Sequence, residues 1–150
     1  MSDLSATVTI AAPPAQVWAL VTDVKRMSEW SPQVWRSFVV GGPVRLGTRF
    51  FNINHDGWKH WPTSAKVVRF EPHSEFAFRI SENRTVWAFS LRPTDDGGTE
   101  LTERRETPDG IAPISNVLVG VALGGQEKFR SDLASGIRQT LERIKAELEG

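Results

Sequence analysis

Glu103 is the side chain whose type and position could most readily do chemistry. Residues 98–107 alternate as a β-strand does, and successive side chains of a strand point to opposite faces, so Leu101, Glu103 and Arg105 share one face. If Leu101 points into an apolar interior, Glu103 points there too. A carboxylate in such an interior is costly unless it is paired. The position of Glu103 therefore calls for a functional or an electrostatic explanation.

Three roles for Glu103 follow from that position. Its carboxyl group could anchor a ligand hydroxyl, or it could act as a general acid or base with a raised pKa. It could instead form an ion pair with Arg105 or Arg36 near the end of the sheet, where water still reaches. The residues alone leave these roles open.

Polar side chains also interrupt two neighbouring strands. Phe50, Asn52 and Asn54 share one face of a strand at 46–54, and Trp61 and Thr63 share one face of a strand at 59–70. Pockets for small molecules typically combine apolar walls with a few placed polar groups. Asn54 could be such a group, or it could brace the hairpin through local backbone bonds.

Large aromatic side chains are unusually prominent in this sequence, which has six Trp, eight Phe and no Tyr. Trp87 and Phe89 share one face of a strand at 84–92. Trp61 and Trp87 could stack on a flat ligand, or they could simply fill the core. The absence of Tyr hydroxyls favours an apolar interior.

Several other chemistries lack the residues they need. The chain has no Cys, which excludes disulfides, thiolate catalysis and Cys-based metal sites. His55 and His60 lie five residues apart across a predicted hairpin, but no third ligand is evident nearby, so no metal site is expected. His60 is a candidate for proton transfer or, alternatively, a surface residue. No nucleophile elbow, phosphate-binding loop or dinucleotide fingerprint is present, and no cofactor is expected.

Length and charge restrict the class of protein. A chain of 150 residues predicts one domain over residues 1–150. The formal net charge is zero, which argues against nucleic-acid binding. The longest apolar run, residues 111–125, is shorter than the roughly 20 residues of a spanning helix, and the acidic start does not suggest a signal peptide. We therefore expect a cytoplasmic protein without a membrane span, either a monomer or a homodimer.

The hydrophobic pattern predicts the elements that position these residues. Leu4–Ile10 alternates as a strand, Pro13-Pro14 begins a helix, and residues 23–29 form a second short helix. Period-two patterns then predict strands at 34–40, 46–54, 59–70, 75–81, 84–92 and 98–107, with Asp56-Gly57 as a tight hairpin. An apolar stripe predicts a long helix over residues 126–148. This order indicates an α+β fold in which a curved antiparallel seven-stranded sheet packs on the long helix.

The order of elements, together with short motifs, resembles the START/Bet v 1-like (SRPBCC) superfamily and its bacterial polyketide cyclase/dehydrase-like branch. The motifs are Ile10-Ala11-Ala12-Pro13-Pro14-Ala15-Gln16-Val17-Trp18, Glu29-Trp30-Ser31-Pro32, Gly47-Thr48-Arg49-Phe50, Trp61-Pro62-Thr63, Phe70-Glu71-Pro72 and Gly97-Gly98-Thr99. The resemblance covers nearly the whole chain. It implies a helix-grip fold, in which the sheet wraps the C-terminal helix around a deep apolar cavity and the Phe50 face points inward.

The implied cavity defines the candidate site. The catalytic candidates are Glu103 and His60. The ligand-binding candidates are Trp30, Phe50, Asn52, Asn54, Trp61, Thr63, Trp87, Phe89, Leu101, Glu103, Arg105, Val117 and Val121. Such a cavity would measure at least several hundred Å³.

Fold alone does not choose among the functions known in such a superfamily. The first hypothesis is a binding protein for a hydrophobic small molecule: a lipid, a polyketide-like aromatic or an isoprenoid. The second is a cofactor-independent polyketide cyclase/dehydratase that uses the same cavity. The third is a protein-interaction domain of the chaperone-activator type, which would need an exposed apolar patch that the polar face of the long helix lacks.

Overall fold

The computed structural model describes residues 4–107 and 126–150, except for the side chains of residues 126–130. The elements in chain order are β1 (Leu4–Ile10), α1 (Pro14–Val21), a 3-10 turn (Val24–Arg26), α2 (Met27–Trp30), β2 (Val34–Val39), β3 (Arg49–Asp56), β4 (Lys59–Glu71), β5 (Glu75–Ile80), β6 (Val86–Pro93), β7 (Thr99–Glu106) and α3 (Gln126–Glu149).

The seven strands form one antiparallel sheet in the order β1-β7-β6-β5-β4-β3-β2. The hairpins from β2 to β7 run as a meander, and β1 closes the order by pairing with β7. The ladder is irregular between Val34 and Arg36 on β2 and between Val67 and Arg69 on β4. Such bulges bend a strand and increase its twist. The result is the α+β helix-grip arrangement that the sequence predicts.

Helix α3 packs its apolar stripe against the concave side of the sheet. Leu133, Ile137, Leu141 and Ile144 are all at least 95% buried, and they recur at the helical spacing of three or four residues. The last turn is tied to β1, because Lys145 Nζ donates to the carbonyl of Thr9 over 2.6 Å. Its 24 residues correspond to about 36 Å of helix. The helix therefore forms one wall of the interior and the sheet forms the other.

Two predicted boundaries are wrong for reasons of backbone geometry. The strand predicted from residue 46 begins at Arg49, because Gly47 has a φ of +87° and interrupts extended structure. In the β3-β4 hairpin Asp56 pairs with Lys59, so the central residues are Gly57 and Trp58 and not Asp56-Gly57. Gly57 alone of these has a positive φ, +64°.

The outer face of the sheet near β2 exposes apolar side chains. Phe38 and Phe51 are cross-strand neighbours and are 51% and 47% exposed, and Trp58 in the hairpin is 84% exposed. No described helix combines the length and apolar character that crossing a membrane requires.

Candidate functional site

A cavity of about 90 Å³ lies between the inner face of the sheet, α2 and α3. The described residues that line it are Met27, Trp30, Ser31, Pro32, Gln33, Val34, Asn52, Asn54, Thr63, Phe78, Ile80, Trp87, Phe89, Glu103, Leu133, Gly136, Ile137 and Thr140. This volume is smaller than the several hundred Å³ expected from the sequence. The physical reason is that four of its lining side chains are large aromatics that occupy part of the interior.

Glu103 points into this cavity from β7. It is 6% exposed, and its Oε1 atom has no hydrogen-bond partner among the described residues. Its cross-strand neighbours are Ala6 on β1 and Phe89 on β6, neither of which can donate from its side chain. Burial raises the pKa of Glu103 to about 8. At neutral pH the side chain is therefore mainly an uncharged carboxylic acid, which can donate a hydrogen bond.

The ion pair that the sequence left open for Glu103 is absent from the described part of the chain. Arg36 stacks its guanidinium over the ring of Trp35, with 4.8 Å between the guanidinium carbon and the ring centroid. Arg105 shares the buried face of β7 but does not line the cavity, and it has an interaction of its own. Neither arginine lowers the pKa of Glu103, since burial is the cause of the shift.

The opposite wall carries a small hydrogen-bonded group on β3 and β4. Asn52 accepts from the Ser37 hydroxyl at 2.7 Å and directs its amide nitrogen at the sulfur of Met27, 3.7 Å away. Asn54 donates to Thr63 Oγ1 at 2.9 Å and to the carbonyl of Trp61 at 3.3 Å. Asn54 therefore both braces the hairpin and lines the cavity, the two roles between which the sequence did not decide.

The helical wall contains a glycine that the sequence analysis did not single out. Gly136 lies between Leu133 and Ile137 on the buried stripe of α3, and all three line the cavity. A Cβ atom at Gly136 would meet Pro32 Cγ at 3.9 Å, an ordinary van der Waals contact. The hydroxyl of Thr140, one turn on, donates to the carbonyl of Gly136 at 2.9 Å. A glycine inside an otherwise helix-favouring stretch is the signal that could have found this position.

Most of the predicted ligand-binding residues gather at this interior. Trp30, Trp87 and Phe89 line the cavity beside Glu103 and the two asparagines. Phe50 and Leu101 are completely buried and belong to the core rather than to the cavity lining. The inward orientation of the Phe50 face is as the resemblance implied.

Other predicted site residues lie elsewhere. Trp61 shares the inward face of β4 with Thr63 but is 41% exposed, because the β3-β4 hairpin extends beyond the enclosed part of the sheet. Val117 and Val121 fall outside the described residues.

His60 lies on the outer face of the β3-β4 hairpin and not in the cavity. Its ring stacks on His55, with 5.8 Å between centroids, and meets the edge of Trp35 at 5.2 Å. The alternation of β4 explains this, because Trp61 and Thr63 take the inward face. The described residues contain no group of three or more His, Asp or Glu side chains that could hold a metal ion.

A curved antiparallel sheet that encloses an apolar cavity against one long helix defines a helix-grip protein. The family model for "Polyketide cyclase / dehydrase and lipid transport" matches residues 1–149, so the chain belongs to this family. The match confirms the resemblance seen in the sequence motifs. No curated protein matched the chain significantly.

Solved structures agree with this membership. The Polyketide_cyc-like protein Cgl2372 from Corynebacterium glutamicum is 30% identical, with 98% of this chain and 91% of that one covered and a TM-score of 0.64. The di-domain ARO/CYC StfQ of the steffimycin biosynthetic pathway is 16% identical with a TM-score of 0.76; 98% of this chain aligns with 50% of StfQ, so the chain spans half its length. The Aha1 dimer from Colwellia psychrerythraea is 15% identical with a TM-score of 0.68, and 99% and 97% of the two chains are covered. The last two similarities concern the fold alone.

Proposed function

We propose that this protein binds a hydrophobic small molecule in the cavity between the sheet and α3. The observation that carries the proposal is the composition of the cavity wall. Trp30, Phe78, Trp87 and Phe89 supply flat apolar surface, and a few polar groups are fixed on β3, β4 and β7. Binding sites for small molecules have this mixture of apolar wall and placed polar groups. The family description, which includes lipid transport, supports the same proposal.

Gly136 adds an independent argument. A glycine in a helix interior costs about 1 kcal/mol relative to alanine. The geometry has room for a Cβ at this position, so close packing does not require a glycine. A larger side chain at Gly136 would instead take up space in the cavity. The sequence thus accepts a less stable helix where doing so keeps the cavity open.

Native mass spectrometry of gently purified protein tests the proposal directly. We expect a mass in excess of the chain, and extraction should release a hydrophobic molecule. The matched variants are Gly136→Leu, which fills the cavity from the helix, and Gln139→Ala, which changes an exposed residue of the same helix. The bound molecule should be lost from the first and retained by the second. Equal retention by both variants would contradict binding in this cavity.

Gly136→Ala provides a finer version of the same test. The added methyl group should raise the free energy of unfolding by about 0.5–1 kcal/mol because alanine favours the helix. It should also lower affinity for the retained molecule, since it narrows the cavity. Urea denaturation and displacement of the molecule measure the two effects. A gain in stability without any loss of affinity would show that the ligand does not reach this wall.

A second candidate is a cofactor-independent cyclase or dehydratase, favoured by the family description and by the protonated state of Glu103. Glu103 would serve as the general acid. We rank this candidate second because Glu103 is the one ionisable side chain among the described lining residues, which leaves no partner base there. Glu103→Gln separates the two, because a catalyst would lose turnover of a poly-β-keto substrate whereas a carrier would keep most of its affinity.

A further inference from the structure

We infer that the cavity selects an uncharged ring compound with a hydrogen-bond acceptor, such as a carbonyl oxygen, that accepts from the carboxyl group of Glu103. This inference rests on the proposed function, because it names the class of ligand for the same cavity. It separates the three classes that the sequence left open, since free fatty acids are anionic and simple isoprenoid hydrocarbons carry no acceptor.

The described lining residues offer no cationic partner to an anionic ligand. None of the described lining residues is Lys, Arg or His. An anion moved from water into an apolar interior without a partner loses far more solvation than such a wall returns. Within the described lining, the one ionisable group that a bound carboxylate would meet is the carboxyl of Glu103, which would repel it once ionised.

Glu103 offers a hydrogen bond that nothing in the described protein uses. Oε1 is buried and has no partner among the described residues. The cross-strand neighbours of Glu103, Ala6 and Phe89, are uncharged, and so are Leu133 and Ile137, which line the same cavity from α3. Arg105 is the charged neighbour on the same face of β7, and it leaves the pKa of Glu103 raised. A buried polar atom without a partner is destabilising. A ligand acceptor would remove that penalty by pairing with the acid.

A carbonyl ligand matches the uncharged state of Glu103, whereas a cationic ligand would require its carboxyl group to ionise; the benzylammonium probe below tests that alternative. The pKa of about 8 makes Glu103 mainly uncharged at neutral pH. An ammonium ligand would have to ionise a carboxyl group to which no described residue donates. A carbonyl ligand leaves the acid uncharged and uses its proton.

The volume of the cavity and its aromatic walls fit a ring. Four of the side chains that line the space of about 90 Å³ are aromatic: Trp30, Phe78, Trp87 and Phe89. Aromatic rings pack favourably in offset or edge-to-face contact with other rings. One ring matches both the volume and the aromatic walls.

Four single-ring probes of similar size test the inference by NMR titration of the full chain, read at the indole N–H signals of Trp30 and Trp87. They are acetophenone, cumene, benzoate and benzylammonium. At pH 7 we expect acetophenone to bind about 3–10 times more tightly than cumene, which replaces the carbonyl oxygen by a methyl group. Benzoate and benzylammonium should bind more weakly than acetophenone.

The pH dependence identifies Glu103 as the recognising group. Between pH 6 and pH 9 the affinity for acetophenone should fall about tenfold as the acid ionises. Glu103→Gln keeps a donor at every pH and should bind acetophenone without this decline. Glu103→Leu removes the donor and should abolish the preference for acetophenone over cumene. Glu106→Gln, three residues along on the outer face, should behave as the unmodified protein does.

The outcomes separate this inference from the proposed function. Equal binding of acetophenone and cumene, or tightest binding of benzoate, would overturn the inference and leave hydrophobic binding intact. Affinity for benzylammonium that rises with pH and exceeds that for acetophenone would overturn it in favour of a cationic ligand. Binding of none of the four probes would contradict the proposed function and the inference together.

Discussion

Glu103 and Glu106 lie on the same strand, β7, and their surroundings are opposite. Glu103 faces the cavity, where burial raises its pKa to about 8. Glu106 faces outward and forms a two-pronged pair with Arg69, with distances of 2.8 and 3.1 Å, and a further contact with Arg104. The Arg69 guanidinium holds the pKa of Glu106 below its usual value, with a smaller contribution from Arg104.

This comparison shows what each face of the sheet is built to do. On the outer face, charged residues from β4, β5 and β7 satisfy one another, with Glu75 joining both arginines to the network. On the inner face a carboxyl group is left without a described partner. An apolar residue at such a buried position would make the fold more stable. A group kept there unpaired is a group available to something that binds.

The largest expected effect is on the pH dependence of stability. Glu103 has its ordinary pKa when unfolded and a raised one when folded, so the folded state is penalised as pH rises from about 4.5 through about 8. Over that interval the ionisation of Glu103 lowers the free energy of unfolding by up to about 5 kcal/mol. Glu103→Gln lacks it, so the stability advantage of this variant over the unmodified protein should grow between pH 4 and pH 9. Urea denaturation at several pH values measures the difference. A constant difference would show that Glu103 is not desolvated.

A smaller loss is expected when a satisfied polar group of the inner face is removed. Asn52→Ala would remove the buried amide that accepts from the half-buried Ser37 hydroxyl at 2.7 Å and faces the Met27 sulfur. We expect the free energy of unfolding to fall by about 2 kcal/mol. The loss should not depend on pH between 5 and 9, in contrast to the effect at Glu103. A pH-dependent loss would mean that Asn52 and Glu103 interact energetically.

Glu106→Gln should cost about 1 kcal/mol at neutral pH, because Arg69 is 41% exposed and water weakens the pair. The lowered pKa of Glu106 makes its contribution present above the unfolded pKa and lost as pH falls below it. The difference between this variant and the unmodified protein should therefore shrink towards pH 3. Glu106 therefore stabilises the fold more as pH rises, whereas Glu103 stabilises it less. If both variants changed in the same direction with pH, the contrast between the two faces would be wrong.

The smallest effect is expected at His60. His60→Ala removes contacts with His55 and Trp35 on the outer face and should change stability by less than about 0.5 kcal/mol. Affinity for acetophenone should be unchanged, since the ring lies outside the cavity. A loss of affinity above threefold would place His60 in the binding machinery.

Much of the fold was predictable from the sequence because the relevant signals are local. Period-two alternation predicts the six strands of the meander, and the stripe through Leu133, Ile137, Leu141 and Ile144 predicts the long helix to within a residue at its C-terminal end. The same alternation placed Glu103 on the inner face beside Leu101. It also separates Trp61 from His60, although it does not tell how far the enclosed part of the sheet extends.

The state of Glu103 was not predictable from the sequence. Whether Arg105 or Arg36 reaches its carboxyl depends on side-chain directions that spacing does not determine. Arg36 turned out to be stacked on Trp35 instead. A glycine inside a helix-favouring stretch marks Gly136 in the sequence, but only the structure shows that it lines the cavity next to Pro32, more than 100 residues away in sequence.

The most direct test is a carboxyl-carbon NMR titration of Glu103, with Glu106 as the internal reference, before and after addition of acetophenone. We predict that Glu103 titrates near 8 in the free protein and higher in the complex, because the ligand accepts from the protonated form, while Glu106 titrates below its usual value in both. Titration of Glu103 near 4.5, unchanged by acetophenone, would contradict the account of this cavity as a site for an uncharged ligand.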